Sequence, residues 1–302
     1  MMNIERTKGR IMMSNEISGI NDTTTLSNGV EMPRLGLGVW QAEPKDAVNA
    51  VSSAIQMGYP MIDTAKAYGN EQQVGEGIKQ GLAAAGKKRE DLFVTTKLAN
   101  SDQGYESTLT NFDASLKRLG LDYVDLYLIH WPVAGKWAET WRAFEKIYQD
   151  GKARAIGVCN FSEQTMKSLI ALSDITPMVD QVEFHPWLQQ PSLKKYLADT
   201  GIQQEAWSPL GGTGGSLMQE PVIQAIAKKH GKSAAQVLIR WDLQNGLVTI
   251  PKSVHPEYIK QNANVYDFSL DDDDMKQLAA MEQNKRTSYW LTSFDWYFGD
   301  EK

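Results

Sequence analysis

Cysteine and histidine are scarce in this sequence. Cys159 is the single cysteine among 302 residues, so no disulfide can form within the chain, and a reducing, cytoplasmic location is predicted. The four histidines are His130, His185, His230 and His255. Glu183 and His185 have a spacing that could hold a metal ion, but no second cluster of ligands accompanies them. We therefore expect no metal site, which argues against a metal-dependent hydrolase.

Long apolar runs and long basic runs are also absent. No stretch reaches about 18 consecutive apolar residues, so no membrane-spanning helix is predicted. Residues 1–25 lack the apolar core of a signal peptide, and we interpret residues 1–23 as a flexible N-terminal extension. The net charge is −6 without a run of lysine and arginine, so we expect no nucleic-acid partner.

An alternation of short β-rich runs and longer helical patterns fills the chain from about residue 35. The predicted strands are residues 35–39, 59–63, 91–97, 123–130, 153–160, 177–184, 202–208 and 247–252. Such alternation indicates a parallel sheet covered by helices, and eight units in roughly 250 residues fit a (β/α)8 TIM barrel. No linker divides residues 24–302, so we assign them to one domain. Asn28 and Gly29 indicate a β-hairpin that caps the barrel bottom.

A doubly wound open sheet is the main alternative to the barrel. To bind a dinucleotide, that fold would carry Gly-x-Gly-x-x-Gly directly after a strand. The nearest run, GEGIKQG at residues 75–81, misses this spacing and lies inside a helical pattern. The barrel is therefore the favoured prediction.

Polar residues end three successive predicted strands. Asp63, Lys97 and His130 lie about 30 residues apart, the length of one strand–helix unit. The carboxyl ends of barrel strands share one mouth, so these side chains are expected to meet, with Tyr68 in the first loop. Each alone could be a cap, a salt bridge or a core histidine. Their shared position favours function, because a buried strand gains nothing by ending in a charge.

These four residue types together predict proton transfer to an oxygen. A free tyrosine has a pKa of about 10, and the ammonium of Lys97 is expected to lower the pKa of Tyr68. Asp63 would hold that ammonium charged and in place, while His130 would orient a substrate oxygen. Tyr68 would then protonate an oxygen that gains negative charge, as a carbonyl oxygen does when its carbon accepts hydride.

The sequence resembles the aldo-keto reductase superfamily from about residue 24 to 283. The motifs IDTAKAYGNE, TTKL, LDYVDLYLIHWP, GVCNF, QVEFHP, EAWSPLG and IPKSVHPEYIKQN occur in that family's order. The likeness is greatest to the bacterial branch of small-aldehyde and 2,5-diketogluconate reductases. It implies an oxidoreductase acting on CH–OH donors with NADP as acceptor, whose catalytic tetrad is Asp63, Tyr68, Lys97 and His130.

The resemblance also implies which substrates and partners the chain has. NADPH would reduce small aldehydes, methylglyoxal or keto-sugars to alcohols, and the chain would act as a monomer, with a weak dimer left open. Trp40 and Trp131 would join Tyr68 and His130 in the substrate pocket. The C-terminal tail would close over it, where Trp290, Phe294 and Trp296 either set the substrate shape or simply pack on the barrel.

The resemblance further implies the residues that hold NADPH. Asn160, Gln181 and Trp207 are expected at the nicotinamide, and Ser208 and Leu210 at the pyrophosphate. Lys252, Ser253 and Val254 are expected at the adenosine phosphate, and Tyr258, Gln261 and Asn262 at the adenine. The glycine-rich run at residues 211–216 either lets the backbone approach the pyrophosphate or forms a flexible lid.

Four positions differ from the family pattern. Trp207 replaces tyrosine and keeps a stacking surface, and Cys159 replaces a serine with a weaker hydrogen-bonding group. Gln261 replaces glutamate, and Tyr258 replaces an arginine that would clamp the 2′-phosphate of NADPH. We therefore expect a reduced preference for NADPH, with NADH also accepted. An NADPH-binding regulatory or assembly subunit with little turnover is the alternative function.

Overall fold

Eight parallel strands follow one another around a barrel in the computed structural model, which describes residues 17–287. A two-stranded antiparallel hairpin precedes them. In chain order the hairpin strands and then the barrel strands are β1 Thr23–Thr25, β2 Glu31–Pro33, β3 Leu37–Gly38, β4 Met61–Asp63, β5 Phe93–Leu98, β6 Val124–Ile129, β7 Ala153–Cys159, β8 Val179–Glu183, β9 Gln203–Trp207 and β10 Val248–Thr249. The predicted TIM barrel and its hairpin are confirmed.

The sheet closes on itself between β3 and β10. The backbone N–H of Gly36 donates to the carbonyl oxygen of Thr249 at 3.0 Å, and the N–H of Thr249 donates to the carbonyl oxygen of Arg34 at 3.0 Å. Bridges from Leu35 to Thr249 and from Gly38 to Lys252 continue the same parallel pairing. Closure removes the exposed strand edges of an open sheet.

The hairpin of β1 and β2 lies at the amino-terminal ends of the barrel strands. Thr24 Oγ1 donates to Gln203 Oε1 at the start of β9 at 2.9 Å. Asn28 Nδ2 donates to the carbonyl oxygen of Arg154, near the start of β7, at 2.9 Å. The hairpin therefore caps the barrel bottom and leaves the opposite mouth accessible.

Ten α-helices surround the barrel within residues 17–287. They are α1 Pro44–Gln56, α2 Glu71–Ala85, α3 Tyr105–Leu119, α4 Trp137–Gln149, α5 Glu163–Leu172, α6 Pro191–Thr200, α7 Pro221–His230, α8 Ala234–Gln244, α9 Pro256–Ala263 and α10 Asp272–Ala279. None of the helices in this part of the chain combines the length and apolar character needed to cross a membrane.

Eight strand–helix units would place one helix between β9 and β10, whereas the structure has two there. Gly231 adopts a φ of 63° directly after His230 and ends α7. Ser233 then caps α8 by accepting from the backbone N–H of Gln236, whose side chain bonds back to the backbone N–H of Ser233. A glycine C-cap followed by a capping box separates the two helices.

Burial explains why these segments form a two-layered barrel. Every residue of β5 and β6 is buried, as expected for parallel strands with side chains packed on both faces. Helix α1 buries one stripe, formed by Ala47, Ala50, Val51, Ala54 and Ile55. Helix α2 can approach this stripe closely because Gly77 has no side chain. A Cβ atom there would lie only 2.8 Å from the carbonyl oxygen of Val48.

The proposed division into residues 1–23 and 24–302 stays a prediction, because much of the first segment and residues 288–302 lie outside the described residues. Within the described part, Ser18 Oγ donates to Asp22 Oδ1 at 2.6 Å just before β1. Trp290, Phe294 and Trp296, expected in the tail over the pocket, also lie outside the described residues.

Candidate active site

The four candidate residues meet at the mouth of the barrel. Asp63 is the last residue of β4, Lys97 lies at the end of β5, and His130 directly follows β6. Parallel pairing of these strands brings their carboxyl ends together. Tyr68 ends the short 3-10 turn Lys66–Tyr68, which follows β4.

A buried ion pair forms the floor of this site. Lys97 Nζ donates to Asp63 Oδ1 at 2.5 Å, to the carbonyl oxygen of Thr64 at 3.0 Å and to Tyr68 Oη at 3.3 Å. The lysine side chain is fully buried. Burial alone would lower the pKa of Lys97, but Asp63 and Tyr68 outweigh it and hold that pKa above its ordinary value. The ammonium therefore stays charged.

The loop that carries Tyr68 is fixed on both sides. Gly69 adopts a φ of 69° and turns the chain from the 3-10 turn toward α2. The buried side chain of Asn70 accepts from Thr64 Oγ1 at 3.0 Å and donates to the carbonyl oxygen of Val39 at 3.0 Å. Lys66 forms an ion pair with Asp102. The motif IDTAKAYGNE thus builds a rigid support for the phenol.

The expected lowering of the Tyr68 pKa is wrong. Removal of the hydroxyl from water is the largest influence and exceeds the opposing effect of Lys97, so the pKa of Tyr68 rises to about 12. The sequence showed the ammonium but not the burial of the hydroxyl. At neutral pH Tyr68 holds its proton, which is the form that a general acid requires.

His130 is neutral beside Tyr68. Burial and then the Lys97 charge lower the pKa of His130 to about 3. The two rings make an edge contact, with centroids 5.7 Å apart and planes at 73°. A neutral imidazole carries one N–H donor. His130 can therefore donate one hydrogen bond to an oxygen, and it does not compete with Tyr68 as the proton donor.

A second group of polar side chains, directly after β7 and on β8 and β9, lies beside Tyr68 and His130. Trp207 Nε1 donates to Asn160 Oδ1 at 2.9 Å, and Asn160 Nδ2 donates to the carbonyl oxygen of His130 at 3.0 Å. Gln181 Nε2 donates to Asp63 Oδ2 at 2.9 Å. The residues expected at the nicotinamide are therefore linked directly to the proton-transfer residues.

A cleft of about 1150 Å³ opens above these side chains. Its wall includes ten of the residues singled out from the sequence for the substrate or the cofactor: Trp40, Tyr68, His130, Trp131, Asn160, Gln181, Trp207, Ser208, Leu210 and Lys252. The glycine-rich run also lines it, through Gly212, Thr213, Gly214 and Gly215. One continuous cavity thus joins the proton-transfer residues to an exposed lysine at the rim.

The remaining predicted cofactor residues lie beyond the cleft wall. They belong to the segment after β10 and to α9, and comprise Ser253, Val254, Tyr258, Gln261 and Asn262. Tyr258 is 54% exposed and packs edge-on against the ring of His255, which does line the cleft. Cofactor contacts at these positions stay predictions.

The polar groups of the cleft fit a nicotinamide carboxamide. Both amide protons of Gln181 are directed to carboxylates, so its Oε1 is left as an acceptor. Asn160 Nδ2 donates one proton to His130, which leaves its second proton as a donor. A carboxamide offers the matching amide N–H and carbonyl oxygen. Lys252 lines the same cleft, and its contact with a phosphate stays a prediction.

Sequence reasoning missed Glu205, which is fully buried two residues before Trp207. Its Oε2 accepts from Gln181 Nε2 at 2.8 Å. The available signal was the period of the strand, because Gln203, Glu205 and Trp207 share one face of β9. An acid in the middle of an otherwise buried strand could have drawn notice.

The Glu183–His185 pair has a structural explanation. His185 Nε2 lies 3.1 Å from Glu183 Oε1, and both side chains are fully buried. The same Glu183 oxygen accepts from the backbone N–H of Thr287 at 2.7 Å. Within residues 17–287 no group of three or more histidine, cysteine, aspartate or glutamate side chains is placed to hold a metal ion.

Comparison with known proteins identifies the class of this barrel. Residues 34–283 match the aldo/keto reductase family. The uncharacterized oxidoreductase YtbE of Bacillus subtilis is 53% identical over 272 residues, which cover 90% of this chain and 96% of that protein. The glyoxal reductase of the same organism is 52% identical over 270 residues, which cover 89% and 96% of the two chains.

A solved structure gives the same result. The aldo-keto reductase of Bombyx mori in complex with NADP superposes with a TM-score of 0.85 at 34% identity, covering 91% of this chain and 97% of that one. The chain belongs to the aldo-keto reductase family, and it is therefore an oxidoreductase of the class that reduces carbonyl groups.

Proposed function

We propose that the chain is an NADPH-dependent reductase of small aldehydes and ketones, including methylglyoxal and keto-sugars. The observation that carries this proposal is the contact of Tyr68 Oη with the buried Lys97 ammonium, at 3.3 Å, on the floor of the cleft. The 52% identity to a glyoxal reductase supports a small dicarbonyl substrate.

The reaction follows from the protonation states of the site. The hydride that the carbonyl carbon accepts would come from NADPH held by the cleft residues. His130 donates a hydrogen bond to the carbonyl oxygen and orients it, and Tyr68 transfers its proton to that oxygen as negative charge develops. Lys97, held by Asp63, stabilises the resulting phenolate. Tyr68 then regains a proton from solvent.

The preference for NADPH rests on Lys252 and is expected to be modest. Its ammonium is the cation proposed for the 2′-phosphate, while Tyr258 supplies a ring but no charge. We therefore propose that NADH serves as a second, weaker cofactor. Competitive titration with a thousandfold preference for NADPH would contradict this.

The test compares the wild type with Tyr68→Phe. Consumption of NADPH and NADH is followed with a panel of aldehydes, methylglyoxal and keto-sugars, and cofactor binding is titrated separately. We expect turnover in the wild type and a loss of about 10²–10⁴-fold in kcat in the variant, with cofactor affinity retained. Tight NADPH binding without turnover on the panel would instead favour a regulatory or assembly subunit.

Assembly and location belong to the same proposal. We propose a cytoplasmic monomer, supported by the single cysteine, whose thiol is buried in the barrel. Light scattering coupled to size-exclusion chromatography tests this directly, and a stable ring of subunits would contradict it.

A further inference from the structure

Glu205 lies in the barrel interior beneath the proposed nicotinamide position. It is fully buried and pairs in register with Gln181 across β8 and β9. Its Oε2 accepts from Gln181 Nε2 at 2.8 Å. Its Oε1 has no hydrogen-bond partner among the described residues. A fully buried carboxyl held by a single hydrogen bond contributes little to stability, so another role accounts for it better.

The partner of Glu205 is held by two carboxyl groups at once. One amide proton of Gln181 goes to Asp63 Oδ2 at 2.9 Å and the other to Glu205 Oε2. Because both protons are used, an exchange of the amide oxygen and nitrogen would place the Gln181 oxygen against the Asp63 carboxylate, which has no proton to donate. The orientation of the Gln181 oxygen is thus determined from below.

We propose that Glu205 is a positioning residue that locks the Gln181 amide with its oxygen toward the cleft, where it accepts a hydrogen bond from the carboxamide of the nicotinamide ring. This inference rests on the proposed function. Glu205 would affect the binding of the nicotinamide half of the cofactor and not of the adenosine half, because the adenosine half would lie beyond the rim at Lys252.

The charges around Glu205 are compatible with this role. The titratable groups that face it are Asp63 on β4, Lys97 on β5 and Cys159 on β7. Burial and then Asp63 raise the pKa of Glu205 to about 8. A neutral carboxyl still accepts through its carbonyl oxygen, and it leaves the Lys97 ammonium paired with Asp63 alone.

The experiment measures two ligands against three variants. NADPH carries the nicotinamide, whereas adenosine 2′,5′-bisphosphate carries only the adenosine half with its phosphates. Glu205→Leu removes the acceptor, and Glu205→Gln keeps an acceptor oxygen without a charge. Asp242→Asn is the matched control, because this buried carboxyl also accepts one hydrogen bond, from Thr249 Oγ1 at 2.7 Å, away from the cleft.

The expected result is selective. Glu205→Leu weakens NADPH binding about 10-fold, as expected for the loss of one well-placed hydrogen bond, and leaves binding of the bisphosphate unchanged. Glu205→Gln restores NADPH affinity to within about threefold of the wild type. Asp242→Asn lowers thermal stability and changes neither affinity.

Two results would overturn the inference. One is an unchanged NADPH affinity in Glu205→Leu, and the other is an equal loss for both ligands, which would indicate general damage. If Glu205→Leu does not fold, Glu205→Asp withdraws the carboxyl by one methylene and must show the same selective loss. If the wild type binds neither ligand, the proposed function itself fails, and its failure is thereby distinguished from that of Glu205.

Discussion

Two buried aspartates at opposite ends of the barrel are held in different ways. At the bottom, Asp125 accepts from Arg89 at 2.7 Å, from the backbone N–H of Val94 at 2.9 Å and from Arg154 at 2.8 Å. At the mouth, Asp63 accepts from the Lys97 ammonium and from the Gln181 amide. Both carboxylates are about 1% exposed.

The two aspartates differ in the solvent exposure of their cationic partners. Arg89 and Arg154 reach from Asp125 toward solvent, with side chains that are 19% and 46% exposed. Lys97 is completely buried, and besides Asp63 and the carbonyl oxygen of Thr64 it contacts Tyr68, which lines the cleft. The same pairing of acid and base therefore joins the fold to partly solvent-exposed arginines at one end, whereas at the other it contacts the hydroxyl to which we assign proton transfer.

The largest expected effect is on activity at the mouth. Lys97→Met removes the charge that stabilises the Tyr68 phenolate, so kcat should fall by about 10³-fold. Arg89→Met is the matched control, because it removes a cation from the bottom pair and should leave kcat unchanged. Steady-state kinetics with methylglyoxal measure both. Equal losses in the two variants would remove the functional distinction between the ends.

The next effect is on stability at the bottom. Asp125→Ala leaves Arg89 and Arg154 without their shared partner and also frees the backbone N–H of Val94. We expect the free energy of unfolding to fall by about 3 kcal/mol, with kcat/KM unchanged below the melting temperature. Urea unfolding measures the first quantity and a standard assay the second. A loss below about 0.5 kcal/mol would mean that solvent replaces the Asp125 carboxylate as the partner of the two arginines at no cost.

Glu205 makes the stability of the mouth dependent on pH. Burial, followed by Asp63, raises the pKa of Glu205 to about 8 in the folded chain, whereas an exposed glutamate titrates at about 4.3. Between these values the folded chain holds a proton that the unfolded chain has lost, so stability falls as pH rises through this window.

Glu205→Gln has no such proton and should escape that loss. The Tm of the variant minus that of the wild type should therefore increase by several degrees from about pH 5 to about pH 9, given about 2–4 °C per kcal/mol in a chain of this size. Differential scanning calorimetry at both values tests it. A Tm difference between the variant and the wild type that is the same at both pH values would contradict the raised pKa of Glu205.

The smallest expected effect lies at the exposed rim. Tyr258→Arg introduces a guanidinium where Tyr258 is half exposed, near the proposed 2′-phosphate position. We expect the ratio of NADPH to NADH affinity to rise about 10-fold, which corresponds to one charge-assisted hydrogen bond at a wet site. Tyr258→Lys is the control, because it adds a positive charge without the bidentate hydrogen-bonding geometry of a guanidinium. An unchanged affinity ratio in Tyr258→Arg would indicate that the 2′-phosphate does not bind near α9.

Periodicity in the sequence predicted much of the fold. Eight strand–helix units predicted the barrel, and the positions of Asp63, Lys97 and His130 at strand ends predicted that they meet. The break between α7 and α8 was missed because Gly231 interrupts a pattern that is otherwise helical on both sides.

What could not be predicted depends on three-dimensional burial. The direction of the Tyr68 pKa follows from how far the barrel mouth removes its hydroxyl from water, and no spacing of residues reports that. The contact of Glu205 with Gln181 could not be predicted either, because the two residues become neighbours only through the pairing of β8 with β9.

The closure of β3 onto β10 has a consequence for how the protein is made. Until residues near 249 have left the ribosome, β3 has a neighbour on one side only, and β9 likewise lacks its final partner. A nascent chain therefore displays two unpaired edges for most of its synthesis, and such edges invite pairing with other chains. The last strand to emerge completes the ring and ends that exposure.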